Sequence, residues 1–197
     1  EKSDNKEREF IKDYFGISSL LQSRILIYKH LFLLTKDFCF YILAIKDTEA
    51  SLLISQKYKL KNLYICYFRI GEIFMLSNNY KKAIVNYKKS LKIYPKDDSE
   101  KGDYQYHLGE AQYRNGDFTN GLKNLLLGLK LIQKYRKQTD SFLIDVWESG
   151  CYLRLAELLK DSDYKNAKKY LSLAKKIIDS NKKLVIRKRQ FLELNKK

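Results

Sequence analysis

A single proline, Pro95, in a chain of 197 residues limits what this sequence can become more than any other feature. Proline and glycine punctuate turns, and an all-β fold needs such punctuation about every ten residues. One proline and eight glycines fall well short of that, so long helices are expected. Apolar residues make up 45% of the chain and charged residues 31%, a globular rather than a disordered balance. Sixteen tyrosines and ten phenylalanines supply bulk for a packed helical core.

Several function classes fall away on the same reading. Cys39, Cys66 and Cys151 are odd in number and form no C-x-x-C pair, which suits a reducing, cytoplasmic setting with each thiol acting as a small apolar residue. His30 and His107 are the only histidines, too few for a multi-histidine metal site, and neither metal nor cofactor is expected. Neither histidine stands in a Ser, Asp or Cys motif, so a non-enzymatic role is expected. Arg24, Lys29, Lys36 and Asp37 interrupt the apolar stretch from Ile17 to Ile45. No segment therefore reaches the roughly 20 apolar residues of a spanning helix. The chain opens on Glu1 rather than methionine, as a processed or trimmed piece would.

Three segments share a pattern. The first runs Tyr67, Ile70-Gly71-Glu72, then Asn79-Tyr80-x-x-Ala83, Tyr87, Ser90 and Pro95. The second runs Leu108-Gly109-Glu110, then Gly116-Asp117-Phe118-x-x-Gly121, Leu125 and Gly128. The third runs Tyr152, Leu155-Ala156-Glu157, then Asp163-Tyr164-x-x-Ala167, Leu171 and Ala174. An aromatic opens each second helix, with small residues three and ten positions on. The pattern resembles the tetratricopeptide repeat, a pair of antiparallel helices of about 34 residues. Gly71, Gly109 and Ala156 would let the paired helices touch, and the aromatics at the turn and at +7 would fill the space between pairs. Pro95 stands where a residue lacking N–H stops a helix. Gly121 and Gly128 depart from the alanines of the family, and the third turn is one residue short.

The resemblance implies an all-α fold: one α-solenoid, a superhelix of antiparallel helix pairs, over residues 1–197. Residues 1–59 would form a degenerate N-terminal helix pair, 60–98, 99–139 and 140–180 three repeats, and 181–197 a basic C-terminal capping helix. The first helix of each pair would line a concave groove and the second would face outwards.

The formal net charge of +16 is uneven, with residues 140–163 net acidic and 164–197 carrying twelve basic against two acidic residues. Lysines gather on the second helices, which predicts a solvated basic back around a near-neutral groove. The family register puts Phe68, Glu72 and Met75 of the first repeat in that groove. Tyr106, Glu110, Tyr113 and Arg114 follow from the second, and Leu153 and Glu157 from the third. Glu72, Glu110 and Glu157 recur at one position and would stack as a carboxylate ladder for a peptide carrying Lys, Arg or a free amine. Each glutamate could equally pair at home with Arg69, Arg114 or Arg154. The same faces lack the Lys and Asn of repeats that clamp a C-terminal carboxylate.

The resulting expectation is a non-enzymatic adaptor or scaffold with a protein or peptide segment in its groove. Three alternatives stay open. Long first helices and extended linkers over residues 107–117 and 138–147 resemble peptide-responsive bacterial regulators of the Rap and PlcR kind. Lys182, Lys183, Arg187, Lys188 and Arg189 form a basic patch for nucleic acid or an acidic surface. The solenoid could also be one module of a larger assembly.

Overall fold

A computed structural model describes residues 2–195. Among these the regular structure is helical: α1 (Lys2–Thr35), α2 (Phe38–Lys57), α3 (Leu63–Leu76), α4 (Tyr80–Ile93), α5 (Ser99–Arg114), α6 (Phe118–Lys134), α7 (Ser141–Leu159), α8 (Tyr164–Ser180) and α9 (Val185–Asn195), with a short 3-10 turn at Arg136–Gln138. The helices pack in consecutive pairs, as in a tetratricopeptide-like solenoid: α1 on α2, α3 on α4, α5 on α6 and α7 on α8. The chain divides into two compact units, one ending at Tyr94 and the other beginning at Pro95.

Short polar residues start the helices by taking up backbone N–H groups that the first turn leaves without partners. Asn79, Asp117 and Asp163 accept from the backbone N–H of Lys82, Asn120 and Asn166 at 3.2, 3.3 and 3.2 Å. Asp98 and Asp140 do the same for α5 and α7. The α4 helix ends because Tyr94, preceding Pro95, takes an extended conformation (φ −65°, ψ 128°), as the proline ring demands. In the turn between α5 and α6, Gly116 takes φ +91°, where a side chain would be strained.

The interiors of the two units differ in kind. In the first, Ile25, Ala44 and Ile73 form a small apolar cluster with Tyr28, Tyr41, Ile45 and Leu76. Beside it lies a buried polar network. Ser18 Oγ is 3.1 Å from Ser51 Oγ and 2.8 Å from Ser55 Oγ, Gln22 Nε2 donates to Ser18 at 3.1 Å, and Asn62 Nδ2 donates to Ser18 at 3.3 Å. The second unit has a larger apolar core, in which Leu125, Ile132, Ile144, Leu155 and Ala174 are fully buried and Trp147 packs at the edge.

Helices α5 and α6 meet backbone to backbone. A Cβ on Gly102 would stand 2.6 Å from the Gly128 carbonyl oxygen, and one on Gly109 would stand 2.7 Å from that of Gly121. The glycines of each helix are seven residues apart, so both pairs sit at one antiparallel register. The first repeat solves the same contact differently: Gly71 makes room for the ring of Tyr87.

Three expectations need correction. Residues 107–114 belong to α5 and 141–147 to α7, so the segments read as extended linkers are mostly helix. The wide spacing of the later repeats comes from longer helices instead: 16, 17, 19 and 17 residues against 14 in α3 and in α4. The third repeat does not shorten its turn; α7 ends three residues after Ala156, and four residues, 160–163, lead to α8. Of the aromatics at the turns, Phe118 and Tyr164 are 60% and 70% exposed, because a residue opening a helix projects past the end of its pair. The filling is done seven positions on, where Tyr87 and Leu125 are fully buried.

Candidate functional site

Backbone register places a residue every third or fourth position on one face of a helix, and this decides where the expected groove residues fall. In the first unit, Phe68 and Glu72 on α3 are buried and Met75 is half-buried. Glu72 is held by Lys29 of α1 and by Arg69 at 2.5 Å. In the second unit, Tyr106 and Glu110 on α5 and Leu153 on α7 are buried, while Tyr113, Arg114 and Glu157 are half-buried. Leu153 and Tyr106 belong to the apolar core. Burial of this degree leaves Phe68, Tyr106 and Leu153 as packing residues, not as open anchors.

The glutamates of the second unit sit in a closed electrostatic network. Glu110 takes the Arg114 guanidinium at 2.9 Å and that of Arg154 at 2.8 Å. Glu157 takes Arg114 at 3.0 Å and also pairs with Arg154. Two carboxylates and two guanidiniums cancel, so the α5–α7 face is close to neutral. Burial pushes the Glu157 carboxyl up, but Arg154 and Arg114 outweigh it and hold the group below the usual carboxylate range. The same carboxylates raise Arg154, which stays charged. The home pairing of Glu72, Glu110 and Glu157 with Arg69, Arg114 and Arg154 is thus the arrangement found. Lys29 is a further partner, 43 positions from Glu72, and no spacing in the sequence signals it.

Around this network the accessible groups are Tyr113, whose hydroxyl lies 3.4 Å from Ser162 Oγ and whose ring packs edge-on against Phe118 at 4.9 Å, and the exposed Lys160 and Asp161. His107 stacks on Tyr106, with its Nδ1 2.9 Å from the Asp103 carbonyl oxygen. Among the described residues no group of three His, Cys, Asp or Glu side chains is placed to hold a metal ion. No described helix is long and apolar enough to cross a membrane.

The C-terminal basic residues divide in two. Lys182, Lys183 and Lys188 are exposed, but Arg187 is built into the second unit. Its Nε donates to the Val146 carbonyl oxygen at 3.0 Å and its Nη1 to Gln190 at 2.9 Å. Gly150 leaves it room, since a Cβ there would meet the guanidinium at 2.6 Å. Arg189 pairs with Glu193 at 3.5 Å.

The helix pair α3–α4, with its Gly71–Tyr87 contact and Pro95 stop, coincides with a match to a known family: residues 64–97 match the tetratricopeptide repeat. The match covers 34 of the 197 residues, and what it shows is a tetratricopeptide-like helix pair at that place. No curated protein and no solved structure matches it. Tetratricopeptide repeats are protein-interaction modules, so the matched repeat suggests an adaptor or scaffold. The pairs α5–α6 and α7–α8 repeat the signature of small residue, cap and aromatic on longer helices.

Proposed function

We propose that the chain is a non-enzymatic adaptor that holds a protein or peptide segment against α5 and α7, the first helices of the two repeats in its second unit. The observation that carries this reading is the tetratricopeptide repeat at residues 64–97, followed by two further pairs of the same pattern. The neutral α5–α7 face of the second unit supports a particular mode of recognition. Its glutamates are already committed to arginines, so a partner meets no bare carboxylate ladder. It is read by shape, by the ring of Tyr113 and by exchange of ligand charges with Arg114 and Glu157. Three cysteines without a disulfide suit work in a reducing compartment such as the cytoplasm.

Selection from a displayed random-peptide library, followed by calorimetric titration of recovered peptides, tests this. Micromolar binders are expected. Tyr113→Ala combined with Arg114→Gln should weaken them by about tenfold or more while the helical circular dichroism stays the same. Undiminished affinity in that variant would move the ligand off this face and remove the reading. Titration with generic RNA at two salt concentrations addresses the basic C-terminus: steep salt dependence, lost on changing Lys182, Lys183 and Lys188 to alanine, would favour a nucleic-acid partner instead.

A further inference from the structure

Helix α1 has its faces reversed for a helix that merely rests on its own core. The side chains it turns inwards include Ser18 and Gln22, with Ile25 the one large aliphatic that is fully buried. Ile11 and Phe15, on that same side nearer the start of the helix, are 39% and 44% exposed. On the other side Phe10 (one edge against Tyr14 and Tyr58), Ile17, Leu20, Ile27 and Leu34 are 52%, 44%, 70%, 55% and 56% exposed. These five occupy two positions of a seven-residue repeat, 10-17-24-31 and 13-20-27-34. At about 100° per residue they fall on the flank opposite Ser18, Gln22 and Ile25. A narrow seam of this period is the mark of a helix that pairs with another helix, whereas a helix lying on a globular core shows a broader stripe.

The charge along the seam narrows the choice of occupant. Between Tyr14 and Thr35 the only charged residues are Arg24 and Lys29, and both are engaged within the chain: Arg24 Nε donates to Asp47 at 2.8 Å, and Lys29 pairs with Glu72. Two copies of a chain carrying +16 repel each other wherever lysines meet. Here they can meet without that penalty.

We propose that this face is covered by a second copy of the chain, α1 lying antiparallel to its counterpart about a twofold axis level with Gln22. In that register Phe10 meets Leu34 of the other copy, Ile17 meets Ile27, and Leu20 meets the stem of Arg24, whose guanidinium is turned towards Asp47. Asp13 falls opposite Leu31, near the end of the seam. A parallel pairing would set Arg24 directly against Arg24 and Asp13 against Asp13, whereas the antiparallel order puts the two Asp13 about 27 Å apart and offsets the two Arg24 by about 6 Å along the axis, each guanidinium held by its own Asp47. The exposed seam offers about 500 Å² per copy, a total near the 1,000 Å² at which specific association begins, so a dimer of micromolar strength is expected.

Sedimentation velocity on the 197-residue chain at concentrations up to about 100 µM tests the proposal. A dimer is expected, strengthened by added salt because salt screens the net repulsion. Leu20→Glu with Ile27→Glu should leave a monomer with unchanged helical circular dichroism, since both positions face solvent in the single chain. Orientation is read by cross-linking with a short bis-maleimide in a Cys39→Ser background. Ser23→Cys, close to the axis, should cross-link between copies. Leu34→Cys, about 36 Å from its counterpart in this register, should not. A chain that is monomeric throughout, a dimer that survives both glutamates, or equal cross-linking at positions 23 and 34 would each overturn the proposal. The first of these leaves the seam to an amphipathic helix of another protein.

Discussion

Replacing Gly128 by alanine should destabilise the protein, although both helix propensity and family resemblance point the other way. Alanine stands at this place in the family pattern, and glycine in a helix interior costs about 1 kcal/mol relative to alanine. A Cβ at 128, however, would lie 2.6 Å from the Gly102 carbonyl oxygen, 2.7 Å from the Tyr106 backbone nitrogen and 2.8 Å from the Tyr106 Cβ. These neighbours are main chain or its first carbon and cannot swing aside, so α5 and α6 must separate by about 1 Å. Overpacking of this kind costs about 1–3 kcal/mol. With three contacts below 3.0 Å the upper part of that range applies, and the propensity gain leaves a net loss of about 2 kcal/mol. In a chain of this size that lowers the melting temperature by about 4–8 °C. Urea titration followed by circular dichroism at the helical band gives the comparison. The control is Gly16→Ala in α1, where no atom lies within 4 Å of the new Cβ, so propensity alone should raise stability by about 0.5–1 kcal/mol. Adding Gly102→Ala to Gly128→Ala should cost less than the sum of the two, because the helices are already apart. Equal stabilisation by Gly128→Ala and Gly16→Ala would refute the backbone-to-backbone contact.

Other outcomes follow from single features. Glu110→Ala leaves Arg114 and Arg154 with only the half-buried carboxylate of Glu157 between them; a loss of about 2–3 kcal/mol is expected in thermal melts. The pH dependence of the same network follows from Glu157, whose pKa is lowered on folding. Its contribution is fully present above the unfolded value of about 4.3 and is lost as pH falls through the lower folded value, so melting temperatures should hold from pH 7 to 5 and drop below 4. Arg187→Ala should loosen α9 from α7, read as a shift in the fluorescence of the single tryptophan, Trp147, next to the Val146 carbonyl that Arg187 binds. Of the three thiols, Cys39 alone is exposed, and a disulfide reagent should reach Cys66 and Cys151 only after unfolding. Burial also pushes the Cys151 thiol far up, which keeps it protonated at neutral pH.

The legible part of this fold was local. Small residues at Gly71, Gly109 and Ala156, polar caps at Asn79, Asp117 and Asp163, and Pro95 each act through neighbours a few positions away, and a linear reading captures that. The site was legible only in its residue types. Glu110 and Glu157 recur at one position, but whether they face a ligand or an arginine depends on how α5 and α7 dock, which no local pattern encodes. The Lys29–Glu72 pair joins a helix outside the repeats to one inside them. Gly121 and Gly128 read as departures from a family alanine until Gly102 and Gly109 are set opposite them. The later helices read partly as linkers because polar residues such as His107 break the apolar period, while α5 runs on to Arg114 and α7 begins as early as Ser141.

The network of Ser18, Gln22, Ser51, Ser55, Asn62 and Cys66 has a consequence beyond filling space. Aliphatic contacts between helices are nearly indifferent to sliding, since one methyl group replaces another after a shift of one turn, about 5.4 Å. Hydroxyl and amide contacts are not, because each donor must find an acceptor at about 3 Å. These six side chains therefore act as a key that admits one axial setting of α1, α2 and the start of α3. Exchanging them together for well-packed aliphatics could raise the melting temperature while allowing several settings in place of one. Any surface that α1 carries on its outer flank would then lose its fixed position along the molecule.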